Sequence, residues 1–161
     1  MTDENRPIED QYAGSARPLI LIVDDDRVVH SIFARALASF PGTIIHAHDG
    51  QQALAIARAA RPDLLITDAL LPGLDGRVVA KTLKTEPATS TMRVAIMTGL
   101  YKGVRYRNEA LNDFCADFYL EKPVSADKLW EVIENTIHIL RPVAAVPGRG
   151  TIELGQERGA M

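Results

Sequence analysis

The chain of 161 residues is 47% hydrophobic and 24% charged, with a formal net charge of −3. It can bury one sizeable core, and its acidity gives no general affinity for nucleic acid or an anionic membrane surface. A single cysteine, Cys115, excludes an intramolecular disulfide and a cysteine-rich zinc site.

Residues 1–17 are polar and lack apolar periodicity, so they read as a flexible arm, and their acidic start is unlike a signal peptide. The fold is expected to begin at Pro18. Leu19 to Val23 is an apolar, β-branched run ending in Asp24-Asp25-Asp26, as a strand buried on both faces would. Val28, Val29, Ile32, Phe33, Ala36 and Leu37 then recur at helical spacing until Pro41-Gly42. Thr43 to Ala47 is a second strand, and Gln51 to Ala60 an Ala-rich helix closed by Arg61-Pro62.

Leu64 to Thr67 is a third apolar strand that delivers Asp68 to its end, followed by the turn signals Pro72-Gly73 and Asp75-Gly76. A helix from about Arg77 to Thr85 should turn Val78, Val79 and Leu83 inward. Arg93 to Met97 is a fourth strand before Thr98-Gly99, and Tyr101 to Asn112 reads as a long loop with a short helix. Asp117 to Leu120 is a brief fifth strand ending at Glu121-Lys122-Pro123. Ser125 caps a last helix bearing Leu129, Val132, Ile133, Thr136, Ile137 and Leu140. Residues 141–161 read as a flexible polar tail, which leaves 18–140 as the folded unit. No apolar run is long enough to span a bilayer, and the expected location is the cytoplasm.

Five strands alternating with five helices imply an α/β fold with a parallel sheet, right-handed crossovers and helices on both faces. Such winding gathers the C-terminal strand ends at one edge, where open α/β sheets bind ligands. Asp24, Asp25, Asp68, Thr98 and Lys122 all end strands in this reading. Carboxylates held within a few Å of one another need a cation or a raised pKa to coexist, and a hard divalent ion such as Mg2+ suits oxygen ligands. Lys122 and Thr98 would supply a charge and a donor for phosphoryl oxygens. Taken singly, each residue also has a plain reading as a helix cap or a solvated strand end; their convergence on one edge argues for a phosphoryl-transfer site.

This pattern resembles the receiver domain of two-component response regulators. The likeness rests on Ile22-Val23-Asp24-Asp25-Asp26, Asp68 with Pro72-Gly73-Leu74-Asp75-Gly76, Met97-Thr98-Gly99, and Tyr119-Leu120-Glu121-Lys122-Pro123. It implies a (βα)5 flavodoxin-like sheet in the order 2-1-3-4-5. It implies that Asp68 accepts a phosphoryl group from a sensor histidine kinase or a histidine phosphotransfer protein. Asp24, Asp25, Asp68 and the backbone carbonyl of Leu70 would hold Mg2+. Thr98, Gly99 and Lys122 would form the phosphoryl-binding surface, and Thr98 and Tyr119 the switch, Tyr119 turning inward as Thr98 moves. Pro123 is the candidate for a cis peptide. The output would be protein contact, to a downstream target or through a homodimer of the last helices, since no DNA-binding module follows the receiver in this chain.

Two features depart from the common pattern. Leu70 and Leu100 are apolar where many relatives carry polar side chains that place the hydrolytic water, which implies slow self-dephosphorylation. Tyr101 to Arg107 is basic and aromatic, a candidate partner surface or simply a solvated loop. Two other readings compete. One is a pseudo-receiver, a binding module that keeps the fold without using phosphate. The other is a haloacid dehalogenase-type phosphatase with Asp24 as nucleophile, which would leave Asp68 and its turn unexplained. On the receiver reading the chain accepts a phosphoryl group and is not an enzyme.

Overall fold

The computed structural model describes residues 17–138. The expected arm before Arg17, Leu140 of the last helix and the tail from residue 141 lie outside the described residues. Ten elements alternate: β1 (Leu19–Val23), α1 (Arg27–Ala36), β2 (Thr43–Ala47), α2 (Gly50–Ala60), β3 (Leu64–Asp68), α3 (Gly76–Thr85), β4 (Arg93–Thr98), α4 (Val104–Asn112), β5 (Phe118–Glu121) and α5 (Ala126–Ile137). All strand pairs are parallel and the order is β2-β1-β3-β4-β5, as the resemblance implies.

Period-two alternation divides the core. Leu19, Leu21 and Val23 of β1 pack with α2, α3 and Ala110 of α4, while Ile20 and Ile22 pack with α1 and α5 on the other face. Every β1 residue is buried, so the apolar run needs no polar face. Each such side chain contributes about 1.5–3 kcal/mol relative to exposure.

Helix starts are set by side chains that occupy the free N–H groups of the first turn. Asp26, Asp49, Asp75 and Ser125 cap α1, α2, α3 and α5 in this way. Only α4 begins without a side-chain cap, at Gly103. It is nevertheless a helix of nine residues, longer than the short one expected from this charged, weakly amphipathic stretch.

The inward faces differ from expectation at three positions. Val28 and Ile32 of α1 are exposed, as is Val78 of α3. The buried stripe of α3 is Gly76, Val79, Ala80 and Leu83, and Val78 stands well round the helix from its centre. In α5 the buried set is Leu129, Trp130, Val132 and Ile133. Trp130 is the largest fully buried side chain; its indole N–H donates to the Ala36 carbonyl at 3.0 Å and so joins α5 to α1. Asp117 lies one residue before β5, where its carboxylate accepts from the Val94 N–H and from Lys84 Nζ.

Candidate functional site

Strand register builds the acidic edge. Val23 pairs with Thr67, so the residues that follow them, Asp24 and Asp68, emerge side by side. Asp68 pairs with Met97 and Thr98 with Glu121, which brings Thr98 and Lys122 to the same edge a step further on. Carboxylate oxygens of Asp24, Asp25 and Asp68 all lie within 4.8 Å of one another. Asp24 is 1% exposed, Asp68 9%, and Asp25 reaches solvent.

Lys122 spans the two buried acids. Its Nζ lies 2.7 Å from Asp24 Oδ2 and 3.1 Å from Asp68 Oδ1. Asp24 Oδ1 also accepts from the Asp26 N–H at 2.9 Å, so both of its oxygens are engaged. Burial pushes the Asp68 carboxyl above its ordinary pKa; Lys122 pulls it down, and the charges of Asp24 and Asp25 add to the rise. Burial alone would lower the Lys122 ammonium, but its bond to Asp24 and the charges of Asp68 and Asp24 leave it raised. One cation thus faces three carboxylates, and the surplus negative charge is what a second, hard cation would neutralise. The oxygen donors fit Mg2+, and Asp24, Asp25 and Asp68 are the residues that would hold it.

Comparison with known proteins agrees with this geometry. Residues 20–134 match the family described as "Response regulator receiver domain". The chain belongs to the response regulator receiver family. The receiver is 36% identical over 110 residues to the response regulator MprA of Mycobacterium ulcerans and 38% identical over 111 residues to that of Mycobacterium tuberculosis. Each match covers 68% of this chain and 46% of the relative, so the chain spans less than half the length of those curated proteins. Among solved structures, a response regulator receiver domain protein from Clostridium thermocellum aligns with a TM-score of 0.67 at 28% identity, over 75% of this chain and 94% of that one. The receiver domain of Francisella response regulator 1452 aligns with a TM-score of 0.68 at 25% identity, over 75% and 97%.

Not every residue named from the sequence meets the acids in this receiver. The Thr98 hydroxyl is buried and accepts from the N–H groups of Leu100 and Tyr101, at 3.2 and 3.0 Å. The Tyr119 hydroxyl already donates to the Tyr101 carbonyl, and its ring packs on the core beside α4. Tyr119 thus sits folded onto the loop after β4 while Thr98 is held by that loop. The space beside Gly99 meets the Lys122 stem at 3.8 Å, so an alanine would fit there. Leu70 and Leu100 are both exposed beside the site, and the Lys122-Pro123 peptide is cis.

Three residues take roles at the site that the sequence alone did not assign. A Cβ on Gly76 would stand 1.8 Å from the Asp68 carbonyl oxygen, so the turn closes over the acid only with glycine there. Its N–H donates to the Ala69 carbonyl at 2.9 Å. Arg77 lies with its guanidinium 4.9 Å from the Tyr101 ring centre and 5.3 Å from that of Phe114, paired with Asp75 and near Glu109. His30 lies 2.7 Å, through Nε2, from the Asp24 carbonyl. Gly76 had a signal as turn punctuation; the other two depend on contacts across 24 residues or more, or on an isolated histidine in a helix.

A larger groove, of about 460 Å³, lies at the opposite edge of the sheet beside Asp63, Met92 and Arg93, remote from the acids. Nearer to Lys122 is an apolar groove of about 290 Å³ formed by Val29, Ile32, Phe33, Pro123 and Val124. Among the described residues no helix is long and apolar enough to cross a membrane.

Proposed function

We propose that Asp68 is the phosphoacceptor of a cytoplasmic signalling receiver, charged by a sensor histidine kinase or a histidine phosphotransfer protein. The observation that carries this reading is Lys122 Nζ lying between Asp24 and Asp68 at the sheet edge, with Asp25 completing an acidic trio. A carboxylate oxygen of Asp68 attacks the phosphorus of the donor phosphohistidine. The new P–O bond forms as the P–N bond breaks, and the departing imidazole takes up a proton. Lys122 is free to follow the transferred oxygens because its other partner, Asp24, stays in place through the Asp26 N–H. When bound by Asp24, Asp25, Asp68 and the Leu70 carbonyl, Mg2+ supplies charge neutralisation for the phosphoryl oxygens. Gly99 leaves the acceptor open to a protein donor, and the apolar groove along α1 beside Pro123 supports docking of such a donor.

Asp68 serves better than Asp24 as the nucleophile, because both Asp24 oxygens are engaged and it is almost fully enclosed. Transfer places new charge to which the Thr98 hydroxyl can donate its own proton, and turning toward it draws the Thr98 oxygen away from the two loop amides it now accepts from. The loop and Tyr119 repack in response, and the face of β4, α4, β5 and α5 carries the signal to a downstream protein or to a second copy.

Incubating the full chain with Mg2+ and a small-molecule phosphodonor, then recording intact mass, tests this reading. The wild type should gain one phosphoryl group and Asp68→Asn none. A folded wild type that binds Mg2+ without gaining phosphate would instead mark a phosphate-independent binding module.

A further inference from the structure

We propose that His30, His46 and His48 form a second metal site, for a borderline transition ion of the zinc, nickel or copper class, distinct from the acidic edge. Three of the four histidines of the chain meet here. His46 closes β2 one residue before its end and His48 follows, with Ala47 buried between them, so strand alternation sets both rings on the side away from that core contact. From α1, His30 stands between the two, its ring centre 4.7 Å from that of His46 and 4.6 Å from that of His48.

The hydrogen bonding prepares a ligand. His30 Nε2 faces the Asp24 carbonyl, which can only accept, so Nε2 carries the proton. In the neutral ring this leaves Nδ1 with its lone pair, aimed at His46 Nδ1 at 2.6 Å. A backbone carbonyl that fixes the tautomer while the other nitrogen faces the site is the support metal-bound histidines use. As the rings stand, a proton occupies the space between the two Nδ1 atoms.

A metal ion takes the proton's place if the two Nδ1 atoms part from 2.6 Å by about 0.7 Å, since nitrogens bound at 2.0–2.1 Å in a tetrahedral site lie roughly 3.3 Å apart. Among the described residues the acidic trio alone already has all its ligand atoms within 4.8 Å, so the histidine site closes by rotation of His48, which is exposed. Donor chemistry separates the two sites: three imidazole nitrogens select zinc, nickel or copper, and three carboxylates select magnesium. This inference does not depend on phosphoryl transfer.

The test uses the full chain without a polyhistidine tag, in excess Mg2+ to occupy the acidic edge. Zinc is titrated against a chromophoric chelator, and cobalt(II) by its visible absorption. One equivalent of zinc should bind, with the strong cobalt bands of a four-coordinate site. His46→Gln and His48→Gln should each weaken it at least tenfold. Asp68→Asn and His138→Gln should leave it unchanged. Circular dichroism checks that each variant is folded, and exposed His48 gives the safer of the two site variants. No zinc binding, or binding indifferent to the His46 and His48 variants, would overturn the proposal.

Discussion

Asp68 and Lys122 carry opposite strains within one hydrogen-bonded unit. Because burial and neighbouring acids raise the Asp68 pKa, its charged form is less favourable in the fold than in the open chain. That cost appears as pH rises through the ordinary value of 3.8 toward the folded value and is constant above it. Asp68→Asn should therefore melt higher than wild type at pH 7 in chelator, with one kcal/mol worth roughly 2–5 °C for a chain of this size, and the gain should vanish below about pH 3.8. Added Mg2+ should shrink the difference by stabilising wild type alone. Leu70 makes a second residue-level case. Its exposed aliphatic side chain cannot orient water, so Leu70→Asn should shorten the lifetime of the phosphorylated form several-fold, followed by intact mass over time. Gly76 makes a third. Gly76→Ala forces a methyl group into the Asp68 carbonyl and should cost about 3 kcal/mol in urea denaturation. Gly73→Ala meets no atom within 4 Å and should cost only about 1 kcal/mol, for its left-handed φ of 78°.

Among the elements, α3 and the loop after β4 are joined through one residue. Arg77 binds the Asp75 carboxylate through Nε and a terminal nitrogen, at 3.1 and 2.8 Å, and stacks between Tyr101 and Phe114. Tyr101 in turn gives its N–H to Thr98 and its carbonyl to Tyr119. The cavity within this group is only about 10 Å³, room for one water at most, so Thr98 can shift only if the loop shifts too. Burial raises the Asp75 carboxyl, but its bonds from Arg77 outweigh that and hold it below the ordinary 3.8. A lowered carboxylate contributes stability above its unfolded pKa and loses it as pH falls through the folded value. Asp75→Asn should therefore cost about 1 kcal/mol from pH 7 down to about pH 4, and the cost should shrink below that, in melting curves taken at several pH values. A cost that held steady through the acid range would show that the charge of Asp75 is not what holds Arg77.

At the scale of the whole molecule, the strands and the acids at their ends were legible because apolar runs stop abruptly at charge: Val23 before Asp24, Thr67 before Asp68. Register then follows from parallel winding, and the Lys122 contact from register. Harder to read was which way each helix turns. Val28, Ile32 and Val78 share helical spacing with buried neighbours, yet the centre of the buried stripe is fixed by the sheet and not by the spacing. The Arg77 stack and the three histidines were illegible for a related reason, since each joins segments that only the fold makes neighbours. Trp130 belongs to the same class and offers the broadest test. It is the single tryptophan of the chain, 1% exposed, bonded to the Ala36 carbonyl and tilted against Phe40 at 6.3 Å. α5 is the last of the described elements, and it docks on a sheet whose strands precede it, so its attachment reports whether the two core faces stand or fall together. The two faces share every strand, and the fold should unfold as one unit. In urea, the red shift of Trp130 emission and the loss of helical circular dichroism should follow a single curve. Trp130→Phe, followed by circular dichroism, should lower the unfolding free energy by about 1–2 kcal/mol, since it leaves the Ala36 carbonyl without its donor and α5 less fully packed. If emission shifts first, α5 detaches from a still-folded sheet, and the coupling of the two faces through the strands is weaker than their shared burial implies.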